Sequence, residues 1–244
     1  MMASRCIIDP PLAPADNMAR DEALLLSART GTRVTLRFYR WSPAALSLGY
    51  FQRWGDFAEM AEAGTPVVRR LSGGGAIWHD DEITYSMAGP FGAGPFPGRA
   101  AHIFEKLHRC ICDGLSRLGV DGRLSDGPSG ASPLICFSEP QKYDVVVAGG
   151  RKLLGSAQRR SGGAFLQHGS LPLGANRFAP GAASLDALLG RTPAVPEIIS
   201  ALVGAFEDGL GLSFAKGALT SAEEGLARRL ACEKYLGDEW TRRR

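Results

Sequence analysis

Hydrophobic positions recur at two periods along the chain. At the helical period, Met18, Leu24 and Leu25 mark a helix capped by Asp16 or Asn17 and running to about Ser27. Another falls near 56–63. Phe104, Leu107, Ile111, Leu115 and Leu118 make 100–118 amphipathic. Ile199, Leu202, Val203 and Phe206 follow Pro196 in a further helix. Thr220-Ser221-Ala222-Glu223 is a capping-box pattern opening a last helix with Leu226 and Leu230 inward. At period two, residues 33–39 read as a half-buried strand. Strand-like stretches also fall at 45–49, 66–68, 76–78, 82–88, 143–147, 152–155 and 164–171, while residues 1–15 are Pro-rich and read as irregular. The mixture predicts an α+β fold, a mixed, largely antiparallel sheet with helices packed on it.

The most informative loop runs from Arg69 to Asp80. Pro66-Val67-Val68 leads in, Ala76-Ile77-Trp78 returns, and Arg69-Arg70-Leu71-Ser72-Gly73-Gly74-Gly75 lies between. Three glycines let backbone approach a ligand closely, and N–H groups beside two guanidinium groups suit an anion or a carbonyl. The same pattern also reads as a flexible strand-to-strand turn with two solvated arginines. It is neither a Walker A loop nor a dinucleotide fingerprint, since no Gly-Lys-Ser/Thr and no helix pattern follow. The Gly/Pro-rich stretch 89–98 reads as a connector rather than a lid carrying Phe91 and Phe96.

Composition narrows the function classes. The 244 residues allow one sizeable core, and 45% hydrophobic with 22% charged residues is ordinary for a globular protein. A net charge of +3 fits an acidic partner, and no basic run suggests nucleic acid. No stretch approaches the ~20 apolar residues of a membrane span. Met1-Met2-Ala3-Ser4-Arg5-Cys6 lacks the pattern of a secretory signal. Five cysteines without a framework spacing point to a reducing cytoplasm. Cys110-Ile111-Cys112 has the wrong spacing for zinc, so both read as packing thiols and no metal site is expected.

Chemistry concentrates on Cys136, Lys152, His79 and His168. Cys136 ends an irregular loop, 125–133, just before a strand pair. A nucleophilic thiol needs a nearby cation or base, and Lys152 on the returning strand could supply the cation. The small and apolar Leu153-Leu154-Gly155-Ser156-Ala157-Gln158 suits a lysine drawn into a pocket, where it would favour negative charge on a carbonyl or phosphate. Taken singly, Cys136 also reads as a buried thiol, Lys152 as a solvated lysine and His168 as structural. His102 and His108 read as surface or core residues.

Together these stretches resemble the lipoate–protein ligase superfamily, which includes lipoate ligases, octanoyltransferases and, more distantly, biotin ligases. The resemblance rests on Asn17-Met18-Ala19-Arg20-Asp21, Ser47-Leu48-Gly49-Tyr50-Phe51-Gln52, the Arg69–Ala76 loop with His79-Asp80, Gly150-Arg151-Lys152-Leu153-Leu154-Gly155-Ser156-Ala157-Gln158 and Gln167-His168-Gly169-Ser170. Within it the chain looks most like the single-domain cysteine octanoyltransferases. Cys136-Phe137-Ser138-Glu139-Pro140 with Tyr143-Asp144-Val145 resembles their acyl-accepting segment. His79-Asp80-Asp81-Glu82 resembles their loop exit, and the ending Glu233–Trp240 their C-terminal helix. Gly73-Gly74-Gly75-Ala76, in contrast, is the ligase form of the loop.

The resemblance implies a biotin/lipoate ligase-like (class II synthetase-like) catalytic domain over 1–244 with a C-terminal helix and no accessory domain. It implies an acyltransferase that moves an octanoyl or lipoyl group to a lysine of a lipoyl carrier domain through a Cys136 acyl-enzyme. Lys152 and backbone N–H groups would stabilise the oxyanion, and the acyl chain would enter an apolar tunnel behind the glycine loop. Arg69, Arg70, Ser72, Gly73, Gly74, Gly75, His79, Ser156, Ala157, Gln158, His168 and Gly169 are the implied substrate-binding residues. His79 and His168 are both open as the base for Cys136. Octanoyl-acyl carrier protein is the implied donor, with lipoyl domains (glycine cleavage H protein or 2-oxoacid dehydrogenase subunits) as acceptors. The route needs no cofactor. An ATP-dependent lipoate ligase, using ATP and Mg2+ with the arginines and Lys152 on an acyl-adenylate phosphate, is the alternative. A non-catalytic acyl or carrier-domain binder is the rival from another class.

Overall fold

Sheet pairing over long sequence separations organises the chain. The computed structural model describes residues 4–96, 98–128 and 133–244; the readings that touch 1–3, 97 and 129–132 lie outside these. The strands are β1 (Ser4–Ile8), β2 (Val34–Tyr39), β3 (Ala45–Leu48), β4 (Val67–Arg69), β5 (Ile77–His79), β6 (Glu82–Pro90), β7 (Arg123–Leu124), β8 (Val145–Val146), β9 (Lys152–Ser161), β10 (Ala164–Pro172) and β11 (Ala215–Lys216). The α-helices are α1 (Pro14–Ala28), α2 (Ala58–Glu62), α3 (Ala100–Arg117), α4 (Leu185–Leu189), α5 (Val195–Leu210), α6 (Ser221–Leu230) and α7 (Asp238–Thr241).

The large sheet has the order β11-β1-β2-β6-β10-β9-β8-β7, and a small sheet has the order β4-β3-β5. Pairing is parallel from β11 through β2 and antiparallel from β2 to β7, as the expected mixed, largely antiparallel α+β architecture requires. Phe206 and Leu202 of α5 with Leu107 and Ile111 of α3 join Leu36, Met87 and Phe165 in the main core. Leu24 and Leu25 of α1 pack with Ala88 and Leu166 in a smaller cluster. β6 is buried up to its last residue and β10 throughout, so their polar residues must find partners inside.

Four expectations change. Residues 4–8 form β1 because β2 and the distant β11 pair with them, a partnership no local pattern displays. β2 is wholly buried, since α1 supplies Asn17 and Asp21 to satisfy Arg37. α1 starts at Pro14 with no side-chain cap, and Asn17 points inward instead, donating to the Arg40 carbonyl at 3.0 Å. The capping box at Thr220 forms, but Glu223 and Ala227 are the buried residues of α6 and Leu226 and Leu230 are only half-buried. Glu223 turns inward to meet Arg5 at 2.6 Å. Phe96 meets Phe165 edge-to-face, with ring centroids 4.7 Å apart, in the core, which makes 89–98 a connector among its described residues.

Candidate active site

The glycine loop is not a hairpin turn. β4 and β5 do not pair with each other; each flanks β3, one parallel and one antiparallel. The loop between them carries the segment bearing Cys136: Ala76 N–H donates to the Leu134 carbonyl and Cys136 N–H to the Ala76 carbonyl, both at 2.8 Å. Gly75 allows this approach, because a Cβ there would run into the Pro133 carbonyl and the Cys136 backbone. Gly74 has φ +92°, and Gly73 packs beside the Phe51 ring.

Arg69 and Arg70 are buried rather than solvated; Arg70 holds this loop from inside, and Arg69 ties its start to residues 49–52 and to Thr241. Arg69 donates to the carbonyls of Gly49 (2.9 Å), Gln52 (2.7 Å) and Thr241 (2.9 Å). Arg70 donates to the carbonyls of Ser47 (2.9 Å), Gly73 (2.8 Å) and Gly75 (2.7 Å). Burial pushes the Arg70 guanidinium down to about 10, against the attraction of the Cys136 sulfur, so it stays cationic at neutrality.

Lys152 opens β9 and is 2% exposed. Its Nζ lies 2.7 Å from the Cys136 carbonyl oxygen, 3.5 Å from Cys136 Sγ and 2.6 Å from Asp144 Oδ2. Those contacts account for all three ammonium hydrogens. Burial works to lower the Lys152 pKa, but the charges of Cys136 and Asp144 outweigh it and hold the lysine above its usual range. The pair faces a cleft of about 380 Å³, whose wall includes Gly74, Phe104, Pro133, Cys136, Ser156 and Gln158.

The other implied residues fall into two buried networks. His168 Nδ1 is 2.9 Å from Asp21 Oδ2, and its Nε2 is 2.5 Å from Ser72 Oγ. The order carboxylate–imidazole–hydroxyl is that of a nucleophilic triad. Asp21 also accepts from Arg37 and Ser86 at 2.8 Å and from Tyr39 at 2.9 Å, which marks this set as an interior brace. His79 bridges Glu82 (2.8 Å) and Ser47 (2.7 Å) and stacks on Trp41 at 3.8 Å. Burial lowers the His79 pKa despite Glu82. Neither histidine hydrogen-bonds Cys136, whose sulfur meets Lys152 instead. The void behind the loop, bordered by Met18, Trp41, Arg70, His79 and His168, measures about 20 Å³. That is room for about one water, so the expected apolar tunnel is closed here.

Ala157 of β9 lies beside Gly74 and opposite His168, and Gly169 lies opposite Ser156. The Gln158 amide nitrogen donates to Gln167, while its buried Oε1 has no partner among the described residues. Sequence reasoning gave no role to Asp144, Asp21, His108 or Tyr85. An acid beside Val145-Val146-Val147, one strand from a lysine, was the available signal for Asp144.

Residues 13–207 match the family model described as the lipoyl protein ligase A/B catalytic domain. The chain belongs to this family. It is 37% identical to the octanoyltransferase LipM of Moorella thermoacetica, over 95% of this chain and 94% of that one. The corresponding figures for the octanoyltransferase LipM of Carboxydothermus hydrogenoformans are 34%, 93% and 93%. A solved lipoate-protein ligase A bound with ATP superposes with a TM-score of 0.81 at 26% identity, covering 99% of each chain. The α+β architecture is therefore the lipoate ligase fold.

Proposed function

We propose that the chain is an octanoyltransferase of protein lipoylation that works through a Cys136 thioester. The observation that carries the reading is Lys152, buried at the cleft wall with its hydrogens on Cys136 and Asp144. A thiol held against a buried ammonium loses its proton to water, and the ammonium favours the thiolate that is left. The Cys136 thiolate attacks the acyl carbon of octanoyl-acyl carrier protein, forming the new C–S bond. Lys152 favours the negative charge that develops on the carbonyl oxygen. As the old C–S bond breaks, the departing thiolate takes the proton of Lys152. The carrier-domain lysine then attacks the acyl-enzyme as its free amine. Lys152, now neutral, accepts the proton released, and Cys136 leaves as thiolate. The Cys136 N–H is engaged by the Ala76 carbonyl and takes no part as an oxyanion donor.

A thioester is already activated, so this route uses neither ATP nor metal. The full-length likeness to LipM octanoyltransferases supports it over ligation. So does the engagement of Arg69 and Arg70 with backbone carbonyls, which leaves them less to offer an adenylate phosphate. The acceptors are lipoyl domains of the glycine cleavage H protein or of 2-oxoacid dehydrogenases. An eight-carbon chain needs more room than the 20 Å³ void, so acyl binding behind the loop displaces the side chains around it. The test offers a lipoyl domain either octanoyl-acyl carrier protein alone or octanoate with ATP and Mg2+. Modification with the thioester alone is expected. Modification only with ATP would make the chain a ligase, and none with either would favour a non-catalytic binder.

A further inference from the structure

The hydrogen bonds behind Ser156 have a single consistent direction. Ser156 of β9 lines the cleft, and His108 of α3, fully buried, reaches it from behind. His108 Nε2 lies 2.6 Å from Ser156 Oγ, and Nδ1 lies 2.7 Å from the Tyr143 carbonyl oxygen. A carbonyl cannot donate, so Nδ1 carries the hydrogen. Burial pushes the imidazole down to about 4, with the Tyr143 bond opposing, and the ring is neutral at physiological pH. Nε2 is then an acceptor, and Ser156 must donate to it; the tautomer is assigned by the chemistry of its neighbours. Tyr85 Oη, 2.8 Å from Ser156 Oγ, is consequently the donor in that contact. Its oxygen accepts from Gln167 Nε2 at 2.9 Å, and Gln167 Oε1 accepts from Gln158 Nε2 at 3.0 Å. The residue opposite Ser156 in β10 is Gly169, where a Cβ would run into Ser156 Oγ and the Tyr85 ring. One carbonyl oxygen thus fixes the polarity of the whole chain.

Ser156 commits its only proton inward and one lone pair to Tyr85, which leaves one lone pair. We propose that His108 is a positioning residue that makes Ser156 a hydrogen-bond acceptor in the cleft, where it receives an N–H of the amine that takes the acyl group. This rests on the acyl-transfer reading above. Ser156 is then excluded as an oxyanion donor, and the charge of Lys152 is left to favour the oxyanion. As the C–N bond forms and the Cys136 C–S bond breaks, the amine gives one proton to Lys152. The hydrogen on Ser156 stays on nitrogen and aims the lone pair at the acyl carbon.

His108→Asn keeps a donor on the Nδ1 side and removes the acceptor at Nε2; His108→Gln does the reverse. The rate of transfer from purified octanoyl-enzyme to a lipoyl domain is followed by intact mass, beside the rate of loading from octanoyl-acyl carrier protein. His108→Asn is expected to slow transfer about tenfold, the worth of one buried hydrogen bond, with loading little changed. His108→Gln is expected to transfer like wild type. The double variant H108N/S156A should be no slower than Ser156→Ala, since both act through one bond. Equal losses in both half-reactions, or losses that multiply in the double variant, would overturn the proposal. A second readout needs no turnover. Nitrogen–proton correlation spectra at neutral pH should show His108, identified by its disappearance in His108→Asn, as the Nδ1–H tautomer. An Nε2–H tautomer would overturn the proposal whether or not an acyl-enzyme forms. Failure of the wild type to load at all would instead defeat the acyl-enzyme reading, a separate result.

Discussion

At the scale of single residues, Lys152 depends on two negative neighbours. Burial alone would drive its ammonium toward neutrality, and the charges of Asp144 and Cys136 reverse that. Asp144→Asn removes one of them, so Lys152 should lose its proton at lower pH. The alkaline limb of the pH profile of kcat/KM is therefore expected to move down in pH; an unmoved limb would show that Asp144 does not govern Lys152. Lys152→Met removes the charge while roughly keeping the volume. Loading of Cys136 is expected to slow by about 10²-fold or more, the scale of losing one preorganised electrostatic donor. Stopped loading kinetics with octanoyl-acyl carrier protein would measure it.

At the scale of elements, the glycine loop and the Cys136 segment form one unit. Gly75→Ala places a methyl against the Pro133 carbonyl and the Cys136 backbone. The expected cost is about 1–3 kcal/mol of stability, with slower loading because the thiol moves away from Lys152. Thermal unfolding and the loading rate should fall together. The local signals for these elements were legible in sequence: the period-two stretches, the α3 and α5 apolar stripes and the Thr220 capping box all occur as elements. The Cys136–Lys152 pair was legible as well, through the strand return at Gly149-Gly150. What local pattern could not carry was pairing at a distance. β1 meets β11 across most of the chain, and β4 and β5 avoid each other because β3 lies between them. Arg69 and Arg70 looked available to an anion because nothing in their neighbourhood shows that loop carbonyls would claim them. His108 is unreadable on α3 for the same reason, since its partners Tyr143 and Ser156 lie 35 and 48 residues on.

At the scale of the whole molecule, buried polar groups tie acid stability to the site. His108 takes up its proton near 6.5 when unfolded but near 4 when folded. Between these values the unfolded chain holds more protons. Its contribution to stability is therefore full above about pH 6.5 and is lost as pH falls toward 4, by roughly 3 kcal/mol. Denaturation midpoints for His108→Asn should fall less steeply over that window than those of the wild type; an identical slope would contradict the assignment. Among the described residues, no helix is long and apolar enough to cross a membrane. The central claim is the thioester on Cys136. It is tested most directly by the intact mass of wild type and Cys136→Ala after exposure to octanoyl-acyl carrier protein without ATP. One octanoyl adduct on the wild type and none on the variant is the predicted result. An adduct on both, or on neither while a lipoyl domain is still modified, would contradict it.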